Sequence, residues 1–198
     1  MSAQIKRIAE CAEVLPGYAL KARAEHEPEG TYQVVMAKHL PDCMSYRYMD
    51  EHELRMTPTG SPENYRVHKG DVLFISRGAR NCAALVESVP ERTIASSTFY
   101  ILRAYPEVDP AYLVWCLNQS PIQSQIGQIR TGAGTPIVQR NVLGDIQIPI
   151  PPLEEQKRLA ELGVLMTKEL KLRRRLVEAT EVYHRVLGQK IITELNQE

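Results

Sequence analysis

The sequence predicts an α+β protein: a sheet-rich globular domain over residues 1–150, followed by one long coiled-coil-type α-helix over residues 151–198. Two observations carry this prediction. Turn residues followed by short apolar runs recur through the first three quarters of the chain, which is typical of short strands. Beyond Pro152 no proline occurs, and apolar residues recur at every third or fourth position, which indicates a long helix.

Short apolar runs rich in β-branched and aromatic residues account for the predicted sheets. The turn Lys69-Gly70-Asp71 leads into one such run, and residues 77–81 form a loop after it. The predicted strands cover residues 31–37, 72–75, 82–86, 98–102 and 146–150.

A helix is predicted to begin at Asp109-Pro110, because Asp suits the N-cap and Pro suits the first helical position. It should end near Ser120-Pro121, and a second short helix should cover residues 122–129. A glycine-rich loop follows at residues 131–136.

The predicted long helix has an apolar seam that it cannot bury alone. At about 1.5 Å per residue it would be roughly 60 Å long, so we expect it to pair with another long helix or subunit rather than fold back on its own domain. Glu169 interrupts the seam, and Leu170, Val177, Leu187 and Ile191 widen the apolar face. The seam consists of Leu162, Leu165, Leu172, Leu176, Ala179, Tyr183 and Val186.

The formal net charge is zero, which argues against a simple basic nucleic-acid binder, but the charge is unevenly spread. Residues 25–53 hold seven acidic and two basic side chains, whereas residues 66–103 hold six basic and three acidic ones. A basic cluster also lies in the predicted helix, at residues 168–175.

The compartment expected from the sequence is the cytoplasm. The N-terminal residues 1–7 include no apolar core of a signal peptide, and no apolar run is long enough to span a membrane. The four cysteines are widely spaced, so we expect free thiols in a reducing environment and no metal site.

The motifs of common enzymes are absent from the sequence, which favours a binding module. There is no P-loop, Gly-x-Ser-x-Gly elbow or His-Glu-x-x-His pair. Asp42, Glu51 and Glu53 lack the lysine that a metal-dependent nuclease would need. The run DPAY at residues 109–112 has Ala where the Asn/Asp-Pro-Pro-Tyr/Phe motif of amino-methyltransferases has its second Pro, and helix capping explains the same residues fully.

The order of motifs resembles that of the specificity (S) subunits of type I restriction-modification enzymes. The most recognisable element is IQIPIPPLEEQ at residues 146–156, where a recognition domain meets a long helix. It is preceded by GTYQVV (30–35), GDVLFISRG (70–78), ASSTFYILR (95–103), DPAYL (109–113) and GTP (134–136). The resemblance covers nearly the whole chain.

The resemblance implies a non-catalytic, DNA-reading subunit that serves in phage defence. A target-recognition domain would read half of a split site in double-stranded DNA. Conserved helices would dock adenine-methyltransferase subunits, which carry S-adenosylmethionine, and a restriction subunit with motor and nuclease activities would join them. The chain itself would need no cofactor. Full subunits have two recognition domains and two helices, so one of each indicates a half-length form or a fragment of a longer subunit. A half-length form would dimerise through its C-terminal helix.

Two loop segments supply the candidate DNA contacts, since Arg and Lys bind phosphates and polar side chains read base edges. The candidates are Lys69, Ser76, Arg77, Arg80, Asn81, Arg130, Thr131, Thr135, Gln139 and Arg140. Two alternatives stay open at this point: a regulatory protein that binds methyltransferase subunits without choosing DNA, and an autonomous enzyme.

Overall fold

The computed structural model describes residues 3–20, 25–40 and 43–196, and the chain divides into two units, residues 1–160 and 161–198. The predicted fold class is confirmed, because several sheets precede one long C-terminal helix. The strands are β1 Gln4–Arg7, β2 Ala12–Pro16, β3 Tyr32–Val35, β4 Ser45–Arg47, β5 Arg55–Met56, β6 Val72–Ile75, β7 Ala83–Ser88, β8 Thr93–Ala95, β9 Phe99–Ala104, β10 Arg130–Thr131, β11 Ile137–Val138 and β12 Gln147–Ile150. The α-helices are α1 Pro110–Leu117, α2 Ser120–Gln128, α3 Arg140–Asp145 and α4 Leu153–Leu195.

The main sheet has five strands in the order β2-β9-β6-β7-β4, antiparallel except where β4 runs parallel to β7. All four residues of β6 are buried because both faces of this strand are covered. Val72 and Phe74 join the apolar cluster that holds α1, while Leu73 and Ile75 join a second cluster on the other face. This two-sided burial explains the uninterrupted apolar run in the sequence.

A smaller sheet has three strands in the order β5-β3-β8. β3 lies parallel to β8 and antiparallel to β5. Its own small core joins Tyr18, Val34, Leu54 and Ile94. The predicted strand over residues 31–37 is therefore confirmed as β3, although it is shorter at both ends.

The predicted helix start at Asp109 is confirmed in detail. Its carboxylate oxygen Oδ1 accepts a hydrogen bond from the backbone N–H of Tyr112 at 2.9 Å, and Pro110 occupies the first turn. The side-chain hydroxyl of Tyr112 donates to the carbonyl of Pro149 at 2.6 Å. Asp109 and Tyr112 of the DPAY run therefore have structural roles, as the capping interpretation predicted.

The first and last strands of the domain pair with one another and lead into α4. β1 is antiparallel to β12, with Ile5 opposite Pro149. The first two turns of α4 belong to this same unit, since Gln156 and Ala160 are buried. The predicted division between residues 150 and 151 falls just before α4 begins.

The expectation of four free thiols is wrong for two of them. Cys43 and Cys82 form a disulfide whose Cα atoms are 5.8 Å apart. Their segments are brought together by the parallel pairing of β4 with β7, where Ser45 lies opposite Leu85. Cys11 and Cys116 are free and buried, as expected.

Helix α4 spans 43 residues, which corresponds to a length of about 65 Å. Beyond residue 163, all but one of its described side chains are exposed. The exposed large apolar side chains include Leu162, Leu165, Leu172, Leu176, Tyr183 and Val186 of the predicted seam. Among the described residues, no helix is both long and apolar enough to cross a membrane.

Candidate nucleic-acid interface

The two loop segments predicted to contact DNA lie side by side. The carbonyl of Ser76, at the end of β6, accepts a hydrogen bond from the backbone N–H of Val138 at 2.9 Å. The N–H of Gly78 donates to the carbonyl of Pro136 at 2.8 Å, and Arg77 forms an isolated bridge with Ile137. Residues 76–78 therefore add a third segment to the β10–β11 hairpin.

A side chain also joins the two segments. The guanidinium of Arg130 donates from Nη1 to the carbonyl of Ala79 at 3.2 Å, yet the residue stays exposed. Gly132, in the turn of the hairpin, has a φ of +104°, a conformation that favours glycine. The predicted glycine-rich loop is thus the tip of a short hairpin, and that tip is held against residues 77–80.

A buried tyrosine, Tyr100, anchors this hairpin near the backbone of Arg77 and Arg140. Its hydroxyl donates to the carbonyl of Val138 at 2.8 Å. Burial raises the pKa of Tyr100, whereas the positive charges of Arg77 and Arg140 act in the opposite direction. The hydrogen bond therefore fixes β11 between the segments that carry Arg77 and Arg140.

We call the resulting patch the basic loop surface. The two segments that build it, residues 76–86 and 130–140, contain neither Asp nor Glu. Its members are exposed and come from the two loop segments and the start of α3. The basic loop surface consists of Arg77, Arg80, Arg130, Thr131, Thr135, Gln139 and Arg140.

Two of the predicted DNA contacts are instead used inside the fold. Ser76 is 0% exposed, and its hydroxyl donates to the carbonyl of Thr98 at 2.9 Å. Asn81 is also buried, and its amide donates to the carbonyl of Ile75 at 3.0 Å. Both side chains face inward to close the loop, so we exclude them from the basic loop surface.

Lys69 is exposed but lies elsewhere. It is in the turn before β6, whereas the basic loop surface begins after that strand ends. The structure therefore separates Lys69 from the other predicted contacts by the length of a strand.

Three contacts that the sequence did not predict hold the other end of the loop. Asn118, at the end of α1, accepts from the N–H of Ala83 and donates to its carbonyl, both at 2.9 Å. Arg80 donates from Nη2 to the carbonyl of Leu40 at 2.6 Å, and the Cys43–Cys82 disulfide lies beside it in the chain.

The described residues contain no cluster of three or more His, Cys, Asp or Glu side chains suited to a metal ion. Asp42, which the nuclease alternative required, lies outside the described residues. What the basic loop surface offers chemically is positive charge and hydrogen-bond donors, which suit an anionic polymer.

The chain belongs to the type I restriction modification DNA specificity domain family, whose model matches residues 2–162. The resemblance found in the sequence is thereby confirmed. Among curated proteins, this chain is similar to the type I restriction enzyme MjaVIII specificity subunit of Methanocaldococcus jannaschii. The two are 26% identical over 162 residues, which cover 80% of this chain and 34% of that protein.

Solved structures share the fold. The S subunit from M. genitalium matches with a TM-score of 0.58 at 14% identity, over 90% of this chain and 42% of that one. The HsdS subunit from Thermoanaerobacter tengcongensis matches with a TM-score of 0.59 at 15% identity, over 87% and 39%. A chain from a structure of complex assembly and conformational transition of the type I R-M system matches with a TM-score of 0.70 at 16% identity. That match covers 96% of this chain and 44% of the other. This chain therefore spans less than half the length of each of these relatives.

Proposed function

We propose that this chain is a DNA-recognition subunit of a type I restriction-modification complex and that it binds double-stranded DNA through the basic loop surface. The observation that carries the proposal is the meeting of residues 76–80 and 130–140, two segments that together contain four arginines and neither Asp nor Glu. Family membership supports the same role. The chain would act in the cytoplasm without catalysis of its own, and S-adenosylmethionine would bind the partner methyltransferase.

Different members of the basic loop surface suit different parts of DNA. Arg77 and Arg140 are exposed cations on the two adjoining segments, and such cations suit phosphates. Gln139, Thr131 and Thr135 are exposed on the adjoining backbone and suit base edges in the major groove. Arg130 already holds the two loops together, so its main role would be positioning.

Helix α4 would supply the second half of the recognition unit. We propose that two copies pair antiparallel through the seam, which would give a two-fold dimer that reads a palindromic split site. The seam residues alternate at spacings of three and four, from Leu162 and Leu165 to Tyr183 and Val186. Glu169 is compatible with this seam because Arg173, one turn later, pairs with its carboxylate at 2.7 Å.

Charge on the flanking positions favours one register. An axis midway between Leu172 and Leu176 would set Arg173 of one copy against Arg175 of the other, and like charges would face each other. Shifting the axis to the midpoint of Leu176 and Ala179 places uncharged residues opposite these arginines, namely Thr180 and Val182. We therefore infer the register whose axis lies midway between Leu176 and Ala179.

The methyltransferase and restriction subunits are proposed as further partners of the assembled dimer. The apolar residues outside the seam, Leu170, Val177, Leu187 and Ile191, remain exposed on α4 and are available for such subunits. Positively charged partner subunits would increase the DNA affinity of a complex whose recognition chain has no net charge.

Selection of DNA from a random pool tests the proposal. The full chain, mixed with an adenine methyltransferase encoded beside it, should enrich a two-part sequence, and Arg77→Ala with Arg140→Ala should abolish that enrichment. Lys69→Ala is the matched control, because it removes an exposed cation outside the basic loop surface and should keep the enrichment. Stable binding of the methyltransferase without any enriched sequence would contradict DNA recognition and favour a regulatory protein.

A further inference from the structure

The loop over residues 77–82 is held from two sides. On one side it joins the β10–β11 hairpin, through Gly78 and through Arg130. On the other side, Arg80 donates to the carbonyl of Leu40, and Cys82 is bonded to Cys43. The second side fixes the end of the loop that carries Arg80 to the segment ahead of β4.

The four cysteines differ sharply in how reactive they can be. Cys43 is partly exposed, and Cys82 is 7% exposed at the end of a loop. Cys11 and Cys116 are buried in the main core, and burial raises the pKa of each thiol to about 11, so both stay neutral and unreactive near pH 7. Of the four cysteines, Cys43 and Cys82 are therefore the ones suited to thiol–disulfide exchange.

Opening the disulfide would leave the sheet intact. The first half of β7 pairs with β6, with Val72 opposite Leu85, and Asn118 holds Ala83 by two hydrogen bonds. The disulfide lies one residue before β7 begins. Its loss therefore frees the loop rather than the core.

We propose that Cys43 and Cys82 form a thiol–disulfide exchange site whose redox state sets the order of residues 77–82. Through that loop it also sets the affinity for DNA, and this second part rests on the proposed function. In a cytoplasmic protein, disulfides are rare and are usually transient or redox-sensing, which fits a reversible pair better than a permanent cross-link.

The exchange partner is a low-molecular-weight disulfide such as glutathione disulfide. The Cys43 thiolate, as the more exposed sulfur, attacks one sulfur of that disulfide, forms a mixed disulfide and releases one thiolate. The Cys82 thiolate then attacks the sulfur of Cys43 and releases the second. The two protein thiols lose two electrons and two protons, and the small disulfide is reduced to two thiols. A dithiol reverses the sequence.

Hydrogen–deuterium exchange on the full chain tests the structural part, with the thiol state read by mass after alkylation. Treatment with glutathione disulfide should form the bond, and amides of residues 77–82 should then exchange at least about 10-fold more slowly than in the reduced protein. Strand β12 provides an internal reference that should not change. Failure of the bond to form, or equal exchange of the loop in both states, would overturn the proposal.

DNA binding tests the coupling. An ordered loop saves part of the ordering cost of binding, so the oxidised protein should bind about 3- to 10-fold more tightly than the reduced protein. Cys43→Ser and Cys82→Ala should both bind like the reduced protein in either buffer. Equal affinities of the two wild-type states would overturn the coupling. If neither state prefers any DNA sequence, the proposed function fails, and amide exchange alone decides whether the redox site exists.

Discussion

The side-chain oxygen of Gln156 accepts a hydrogen bond from the backbone N–H of Asp109 at 2.8 Å, across 47 residues of sequence. The amide nitrogen of the same side chain donates to the carbonyls of Pro151 at 2.8 Å and Glu107 at 3.1 Å. Gln156 is 1% exposed. The glutamine of the IPIPPLEEQ run thus fastens the start of α4 to the loop that caps α1, which gives this motif a physical reason.

Replacing Gln156 by alanine should therefore destabilise the first unit. Three buried hydrogen bonds are lost and their backbone partners are left unsatisfied, so we expect the free energy of unfolding to fall by about 2–4 kcal/mol. Urea denaturation measures the change. Gln189→Ala, at an exposed position of the same helix, should change it by less than about 0.5 kcal/mol. Equal effects of the two substitutions would contradict the role of Gln156.

Ser76→Ala separates a structural role from DNA contact. The buried hydroxyl donates to the carbonyl of Thr98, so its loss should lower the free energy of unfolding by about 1 kcal/mol. It should leave DNA affinity within about 2-fold of wild type, whereas Arg77→Ala should weaken binding by about 5-fold or more. Fluorescence anisotropy with a selected duplex compares the two. A larger loss for Ser76→Ala than for Arg77→Ala would restore Ser76 as a contact.

The sequence predicted long, patterned elements well and short ones poorly. The buried run that forms β6, the capped start of α1 and the seam of α4 are all strong local signals. Strands β1, β2, β4, β5, β8, β10 and β11 and helix α3 were not predicted. Each is six residues or shorter, and β1, β2, β4, β5 and β8 pair with strands that are distant in the sequence. β1, for example, alternates polar residues and is stabilised only by β12, at the other end of the domain.

The candidate site was predicted in pieces rather than as a whole. Charge and loop composition identified residues 77–81 and 130–140 separately, but the backbone hydrogen bonds that join them connect segments about sixty residues apart. Ser76 and Asn81 have the same residue types as true contacts and turn inward only because the loop must close. The disulfide likewise depended on the pairing of β4 with β7. Contact of the remaining residues with DNA stays a prediction.

A fall in stability on mild acidification is expected from His39. Burial, together with the positive charges of His52 and Lys38, lowers the pKa of His39 to about 4, and its ring stacks on that of His52 at 4.9 Å. The unfolded chain binds this proton near pH 6.5, so the contribution of His39 to stability is complete above pH 6.5 and is lost as pH falls towards 4. Between pH 7 and pH 5 the loss should be about 2 kcal/mol.

His39→Gln is the appropriate control for this pH effect. The side-chain oxygen of glutamine can still accept the hydrogen bond that the backbone N–H of Met36 donates to Nδ1 of His39 at 3.2 Å, but glutamine does not titrate in this range. The variant should lose about 2 kcal/mol less than wild type between pH 7 and pH 5, as measured by urea denaturation. Identical pH profiles for variant and wild type would rule out His39 as the source.

The salt dependence of DNA binding should report which arginines contact phosphates. Each phosphate contact adds about 0.9 to the slope of log K against log salt concentration. Arg77→Ala and Arg140→Ala should each reduce the slope by about that amount, whereas Lys69→Ala should not change it. The neutral chain alone should show a shallow slope, and the complex with its methyltransferase a steeper one. An unchanged slope in both arginine variants would place their side chains away from the phosphates.

Because the seam of α4 is exposed in the single chain, the oligomeric state directly tests whether two copies pair through it. Leu176 is 68% exposed in the single chain, so Leu176→Glu should cost the monomer little, but in the proposed register it would set a carboxylate against Ala179 of the second copy. Sedimentation at tens of micromolar should show dimers for wild type and monomers for Leu176→Glu. Val164→Glu is the matched control, because Val164 is 58% exposed but lies off the seam, and its dimer should persist. A wild-type monomer at that concentration would contradict the proposed pairing, since a seam of this length should bury enough apolar surface to hold two copies together.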